Sequence, residues 1–469
     1  MAQTQRICAP RDDPLSMELF GSSGTRGVVG DEFTPDRVRR VAAAAAAVWN
    51  ADRIAVARDT RLSGGPFTDV AAGTLAAAGA DVDRLGVLPT PGVAYHCETE
   101  GVPAVHVTAS HNPPEYNGIK LLGTDGTELS VDAYERVERE VFAADAPLAS
   151  WADVGTIRRI DGAGDDYRAD LLAGVDREAI AAADLTVAVD PGHGAGSVVS
   201  PAFFRELGCT VHTVNADPDG HFPGRDPEPV AENLTALQRL VRSTDADVGI
   251  AHDGDADRAV FVDERGETVD GDTSLAALAA AEIGPDDIVV TAVNVSQRLV
   301  DAVGAADAEL DLTPIGSTYI VTRVQERRRA GDRVPIAGEG NGGVFFPEYR
   351  LTRDGAYVGA KFLELLAGAS APASELVAPY TDYHFVRENL AYADDAERAR
   401  LLDAAAAYAR DADADLDTID GYRLDYGDAW LLVRPSGTEP KIRVYAEARD
   451  ADRARTLAGA LCDHLDAAR

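Results

Sequence analysis

Lysine is nearly missing from this chain of 469 residues: it occurs only at Lys120, Lys361 and Lys441, so almost all of the 44 basic side chains are arginine. Positive charge is scarce altogether, with 79 acidic side chains and a net charge of −35. Such a balance argues against nucleic acid or an anionic membrane as partner, since either would repel the chain. No run of 18 or more apolar residues occurs, so no membrane-spanning helix is expected. The opening "MAQTQRICAPRDDPLS" lacks a continuous apolar stretch, so no secretory leader is expected and the cytoplasm is the expected location. Cysteine is sparse and scattered (Cys8, Cys97, Cys209, Cys462), with no spacing suited to metal or redox work; free thiols in a reducing compartment are expected. Methionine occurs only at Met1 and Met17, and "MELFGSSGTRG" reads as a natural start, which leaves residues 1–16 as a loose tail.

The acidic residues are spread along the whole chain rather than gathered in a tail. With so little lysine, this fits a surface suited to a high-salt cytoplasm, where the Debye length shrinks to a few ångströms and self-repulsion is screened. An ordinary acidic protein from a GC-rich genome is the other reading.

Length alone predicts about three or four domains. Strands and helices alternate from the start. Thr34-Pro35 predicts an N-cap with proline in the first helical turn, opening an Ala-rich helix to about Trp49. "RIAVARDT", "VDRLGVLPT" and "PAVHVTAS" read as strands ending in loops. The same order restarts with "LTVAVDPGHGAGS", "CTVHTVN" and "DVGIAHDGDADRAVFVD", and again with "DIVVTAVN", "AELDLTPIG" and "VPIAGEGNGGVFF". Three successive α/β units of related topology follow from this. The last hundred residues read instead as a small α+β unit with an antiparallel sheet.

Four stretches carry chemistry. In "TASHNPPEYNGIK", Ser110 follows a short apolar strand, in a loop stiffened by Pro113 and Pro114. A serine becomes a nucleophile or phosphoryl carrier only with a base, a metal or cationic neighbours, and His111 and Lys120 offer these. A capping serine in a turn is equally compatible with this stretch alone. "HDGDADR" places Asp253, Asp255 and Asp257 at alternating positions before Arg258. Carboxylates so spaced in a Gly-containing loop can converge on one hard cation; a solvated acidic turn is the simpler alternative. "RPSGTEPKIR" gathers Arg434, Ser436, Gly437, Thr438, Lys441 and Arg443, a set suited to a phosphate dianion, although ion pairing with acidic neighbours would also use it. In "GEGNGG", Glu339 and Asn341 are hydrogen-bonding groups where glycine permits close ligand approach. Arg26, Arg58 and Arg61 add cations near the start. "DPGHGAGS" lacks the Lys-Ser/Thr of a P-loop and is read as a tight structural turn.

Taken in this order, from about Leu19 to Ala448, these stretches resemble the α-D-phosphohexomutase family, whose members interconvert 1-phospho and 6-phospho sugars. The resemblance implies an α/β fold of three topologically related domains and a C-terminal α+β domain around a central cleft. The corresponding divisions are 17–150 with the phosphoserine loop, 151–262 with the metal loop, 263–371 with the sugar loop and 372–469 with the phosphate loop. By motif, Ser110 corresponds to the phosphoserine. Asp253, Asp255 and Asp257, with a phosphoserine oxygen, correspond to the ligands of one Mg²⁺. Arg26, Lys120 and Arg258, with His111 beside the serine, correspond to the groups around the transferring phosphoryl. Glu339 and Asn341 fall on the loop that grips sugar hydroxyls, and Arg434, Ser436, Gly437, Thr438 and Arg443 on the loop for the second phosphate. Many members have Ser-Gly-His where this chain has Asn341-Gly342-Gly343, so a histidine acid/base is missing at position 343. The implied substrate is a small sugar phosphate, glucosamine phosphate first and mannose or glucose phosphates next. A hexose 1,6-bisphosphate is the implied activator, and the implied assembly is a monomer or homodimer. A metal-dependent sugar phosphatase is the competing activity.

Overall fold

The computed structural model describes residues 19–21, 23–143, 148–369, 371–436 and 441–469. They fold into four sheets, three of which repeat one topology.

The first sheet contains β1 (Thr25–Val28), β2 (Arg53–Arg58), β3 (Asp81–Val87), β4 (Ala104–Val107), β5 (Tyr116–Leu122) and β6 (Ile157–Arg159). The second contains β7 (Thr186–Asp190), β8 (Thr210–Thr213), β9 (Val248–Ala251), β10 (Val260–Asp263) and β11 (Thr268–Val269). The third contains β12 (Ile288–Ala292), β13 (Glu309–Thr313), β14 (Ile336–Glu339), β15 (Gly343–Phe346) and β16 (Arg350–Arg353). The strand orders share the segments β3-β2-β4-β5, β8-β7-β9-β10 and β13-β12-β14-β15. In each segment the first three strands are parallel and the last is antiparallel. The loops β4–β5, β9–β10 and β14–β15 are therefore topological equivalents. Each leaves the C-terminal end of a parallel strand, where open α/β sheets keep their ligands.

Apolar residues decide this layering. Along β2, Ile54 and Val56 enter one core while Ala55 and Ala57 enter another on the opposite face, the period of two that a strand covered on both sides requires. The helix Pro35–Trp49 forms as its cap predicts, with Thr34 accepting a hydrogen bond from the Arg37 amide and Asn50 closing the other end in the left-handed region.

The fourth sheet is wholly antiparallel, in the order β17 (His384–Ala391), β21 (Lys441–Ala448), β20 (Ala429–Pro435), β19 (Tyr422–Asp425) and β18 (Asp415–Asp417). It docks on the third unit through buried polar groups. Glu447 accepts hydrogen bonds from Ser296 Oγ at 2.8 Å and the Gln297 amide at 2.7 Å, at the start of the helix Gln297–Ala305.

Sheet membership departs from two of the expected divisions. β6 pairs with the open edge of β3, so the first sheet runs past 150. β11 closes a hairpin on β10, so the second sheet runs past 262. The tail 1–16 lies outside the described residues.

Candidate active site

The loop after β4 is held by an arginine that the sequence showed only as one cation among several. Arg61 is fully buried and donates to the backbone carbonyls of Ser110 (2.9 Å), Asn112 (2.6 Å), Pro113 (2.6 Å) and Tyr116 (3.0 Å). Its Nε pairs with Asp59 Oδ2 at 3.0 Å, and the same oxygen accepts the Thr108 hydroxyl at 2.7 Å. So clamped, Ser110 adopts φ 50°, a left-handed backbone uncommon for a residue with a side chain. The Ser110 hydroxyl is fully buried and donates to Asp253 Oδ2 at 2.8 Å.

Asp253 belongs to the loop β9–β10. A Cβ on Gly254 would stand 2.5 Å from the Ser110 carbonyl oxygen, so glycine is what lets the two loops touch. The turn at 190–197 supports this loop from behind: Ala195 N–H donates to the Gly254 carbonyl at 2.8 Å. Asp253, Asp255 and Asp257 are buried, and one ligand atom from each lies within 4.8 Å of the others. Burial, then Asp257 and Asp255, push the Asp253 carboxyl above the usual carboxylate range.

Lys120, on β5, supplies the nearest countercharge. Its Nζ lies 2.7 Å from Asp255 Oδ2 and 2.7 Å from Asp257 Oδ2. Burial alone would lower its pKa, but Asp255, Asp257 and Glu128 outweigh burial, and the ammonium keeps its proton. Arg258 Nη2 donates to His111 Nδ1 at 3.0 Å, and Ser110 Oγ lies 3.3 Å from the same nitrogen. A guanidinium only donates, so the His111 ring hydrogen sits on Nε2. Burial first, then Arg258 and Arg26, hold that imidazole neutral. Arg26, on β1, donates to Asn112 Oδ1 at 2.9 Å and so borders the serine loop.

Three further contributors carry no local motif. Thr90, at the start of the helix Thr90–Glu100, donates its hydroxyl to Asp255 Oδ2 at 2.6 Å. His106 Nδ1 lies 3.1 Å from that hydroxyl, which makes a buried chain from His106 through Thr90 to Asp255. Arg353, at the end of β16, pairs with Asp257 Oδ2 at 2.6 Å and reaches Glu339 Oε2 at 3.5 Å. Thr90 and Arg353 lie 165 and 96 positions from their aspartates, so no spacing rule could reveal them.

Glu339 ends β14, and Asn341 stands beside it with Nδ2 3.4 Å from Glu339 Oε2. Arg434, Ser436 and Arg443 belong to the hairpin β20–β21, where Arg434 and Arg443 are cross-strand partners and Arg434 pairs with Asp420 at 3.0 Å. Gly437 and Thr438 lie outside the described residues. The structure thus gathers Ser110, His111, Lys120, Arg258 and the three aspartates into one cluster. Arg26 joins through Asn112, and Glu339 joins through Arg353.

The residues fit a hard divalent cation. Lys120, Thr90 and Arg353 occupy the Oδ2 atoms of Asp255 and Asp257, while Oδ1 of each is buried without a hydrogen-bond partner. Buried, unpartnered carboxylate oxygens in an all-oxygen cluster are what such an ion would complete.

Comparison with known proteins covers all four units. The family descriptions for phosphoglucomutase/phosphomannomutase match domain I over 17–147, domain II over 165–266, domain III over 270–383 and the C-terminal domain over 389–464. The "Phosphoglucomutase/phosphomannomutase" of Thermococcus kodakarensis is 37% identical over 93% of this chain and 96% of its own. The "Probable phosphoglucosamine mutase" of Methanopyrus kandleri is 38% identical over 94% and 96%. The crystal structure of a phosphoglucomutase/phosphomannomutase family protein from Burkholderia thailandensis superposes with a TM-score of 0.83, at 28% identity over 97% of this chain and 98% of that one. Among the described residues, no helix is long and apolar enough to cross a membrane. The chain belongs to the phosphoglucomutase/phosphomannomutase family, whose members are metal-dependent, and is a phosphohexomutase, an isomerase of small sugar phosphates.

Proposed function

We propose that the protein interconverts hexose 6-phosphate and hexose 1-phosphate through a phosphoryl group carried on Ser110, with glucosamine phosphate as preferred substrate. One observation carries the reading: a buried serine hydroxyl, held at φ 50°, lies 2.8 Å from a carboxylate of a metal-competent loop. Asp253, Asp255 and Asp257, with an oxygen of the phosphorylated Ser110, would hold one Mg²⁺. When bound, Mg²⁺ supplies charge neutralisation at the transferring phosphoryl.

The chain's own residues supply the rest. Phosphoryl transfer depends on in-line positioning and charge stabilisation more than on covalent chemistry. The Arg61 clamp fixes the Ser110 backbone, and with it the direction of attack. Arg26, Arg258 and Lys120 set positive charge around the serine, and neutral His111 offers its Nε2 hydrogen as a donor. Glu339 and Asn341 orient the sugar hydroxyls. Arg434, Ser436 and Arg443, with Gly437 and Thr438, hold the phosphate that is not being transferred. Phospho-Ser110 gives its group to the free hydroxyl of the bound monophosphate, and the serine oxygen recovers a proton. The resulting bisphosphate turns end for end, and its other phosphate returns to Ser110. Hexose 1,6-bisphosphate therefore acts as the activator that loads the serine. The histidine absent at 343 leaves that position without a proton carrier, and buried Lys120, which keeps its proton between two carboxylates, contributes charge beside the serine.

Archaeal relatives named as probable phosphoglucosamine mutases support glucosamine phosphate. The Thermococcus relative supports glucose and mannose phosphates as the second reading. Turnover assays on the phosphates of glucosamine, glucose and mannose decide between them: the highest kcat/KM should fall on glucosamine phosphate, and a preference of about tenfold for another sugar would overturn that choice. Inorganic phosphate followed in the same assay should stay at background, because a phosphatase would release it.

A further inference from the structure

Arg353 has no part in the phosphoryl-transfer scheme above, yet its side chain spans two loops from different units. Nη2 lies 2.6 Å from Oδ2 of Asp257 in the loop β9–β10, and Nη1 lies 3.5 Å from Oε2 of Glu339, the last residue of β14 before the loop β14–β15. The arginine is only 6% exposed, so neither pairing is weakened much by solvent. Its stem crosses directly over Gly343: a Cβ there would stand 2.7 Å from Arg353 Cδ and 3.3 Å from Nη1. Glycine at 343 is thus what opens the passage between the two loops, and any side chain at 343 would compete with Arg353 for the same space.

The consequence for Asp257 is directional. Its Oδ2 already receives Lys120 Nζ at 2.7 Å, and the arginine adds a second charge-assisted bond to the same oxygen. With Oδ2 held twice, the carboxylate cannot swing without breaking both bonds, and Oδ1 is left buried with no hydrogen-bond partner, 3.9 Å from Arg258 Nε. On the other side, Glu339 Oε2 faces both the guanidinium and Asn341 Nδ2 at 3.4 Å. One rigid fork therefore has one prong on a cation-loop carboxylate and the other on a sugar-loop carboxylate.

We propose that Arg353 is a positioning residue that couples the two loops, so that divalent-cation binding at the aspartates and sugar-phosphate binding at Glu339 strengthen each other. The proposal rests on the reading above that places the cation on Asp253, Asp255 and Asp257 and the sugar hydroxyls on Glu339. A ligand that orders one carboxylate orders the arginine, and the other carboxylate then has less freedom left to lose when its own ligand arrives. Linkage makes the effect reciprocal: sugar phosphate must tighten the cation by the same factor as the cation tightens sugar phosphate.

The test measures Mn²⁺ binding to the full-length protein by electron paramagnetic resonance, without and with saturating glucose 6-phosphate, on protein freed of serine phosphate so that no phosphoserine oxygen joins the cation ligands. Chelation by the sugar phosphate alone is subtracted from a protein-free titration. Wild type should bind Mn²⁺ about fivefold or more tightly with the sugar phosphate present, the lower end of ordinary coupling between sites. Arg353→Lys keeps the charge but loses the planar fork, and Gly343→Ala keeps the arginine but displaces its stem. In both, the enhancement should fall below about twofold, with KM for the sugar phosphate rising. A merely structural role would leave the enhancement intact. If Arg353→Lys does not fold, Gly343→Ala decides alone. An enhancement of wild-type size in either folded variant, or no enhancement in wild type, overturns the coupling role while leaving the aspartate site standing. A wild type that binds no Mn²⁺ at all overturns the aspartate site itself, and the coupling with it.

Discussion

Ser110 and Arg61 show how much of the site depends on groups that never touch substrate. Arg61 satisfies four backbone carbonyls and one buried carboxylate, and nothing else in its surroundings could replace a five-donor fork. Arg61→Met keeps the volume but strands Asp59 as a buried, unpaired charge. It should cost about 3–5 kcal/mol in urea unfolding, the range for breaking a buried pair from one side, and should slow turnover by loosening the serine loop. A loss below about 1 kcal/mol, the level of an exposed pair, would show that the loop holds itself. Asp255→Asn acts on the cation instead. An amide is a poorer ligand for a hard ion, so the Mg²⁺ concentration for half-maximal turnover should rise sharply while the fold persists. An unchanged Mg²⁺ requirement would remove Asp255 from the ligand set. A third residue-scale expectation concerns Asp354, buried and accepting the Tyr167 hydroxyl at 2.7 Å. Burial pushes its pKa up to about 6, above its ordinary value. The folded state therefore keeps the proton longer than the unfolded chain does. Its contribution to stability is full below pH ~4 and is lost as pH rises to ~6. The stability of wild type minus that of Asp354→Asn, followed by denaturant titration, should decline over that window and stay flat above it. A difference that rises with pH would contradict the assignment.

The elements explain where the serine, the aspartates and Glu339 sit. Ser110 and the aspartates follow, and Glu339 ends, the third strand of a repeated unit, and each loop there precedes an antiparallel fourth strand. Much of this was legible in the sequence, because each loop combines an apolar strand with a local cluster of glycine and functional side chains. The repeat itself was legible as grammar, though not the identity of strand orders, since pairing is set by contacts far apart in the chain. The divisions at 150/151 and 262/263 missed β6 and β11, two short strands whose apolar patterning is too brief to separate them from linkers. Thr90, His106 and Arg353 could not be singled out for the same reason in another form, since each acts through a partner with no fixed spacing, and Arg61 showed only as one cation among several because the carbonyls it holds lie about fifty positions on. The close contact between loops is also an element-scale feature. Gly254→Ala places a methyl group against the Ser110 carbonyl, so the serine and aspartate loops must separate. Turnover should fall by at least about tenfold, on the scale of a 1 Å misplacement of reacting groups, with far-UV circular dichroism unchanged. Wild-type turnover in this variant would show that the loops do not need to touch.

For the molecule as a whole, charge sets the conditions under which the site can work. With 79 acidic against 44 basic side chains, removing salt should destabilise the fold through unscreened repulsion. The melting temperature should rise between about 0.1 and 3 M KCl, as the Debye length falls from ~10 Å to below ~3 Å. A flat melting temperature over that range would refute the high-salt adaptation and leave the enzyme assignment untouched. Within this negative field, the role proposed for Arg26, Lys120, Arg258, Arg434 and Arg443 is to supply the local positive charge that an anionic substrate requires. The central claim is that Ser110 carries the phosphoryl group between sugars. Its most direct test is to incubate the enzyme with radiolabelled glucose 1,6-bisphosphate, quench, and map the labelled peptide. The label should fall on the peptide containing residues 108–120, should be absent in Ser110→Ala, and should pass to sugar phosphate on a chase with unlabelled glucosamine 6-phosphate. Label on another peptide, or label released as free phosphate during the chase, would contradict the account.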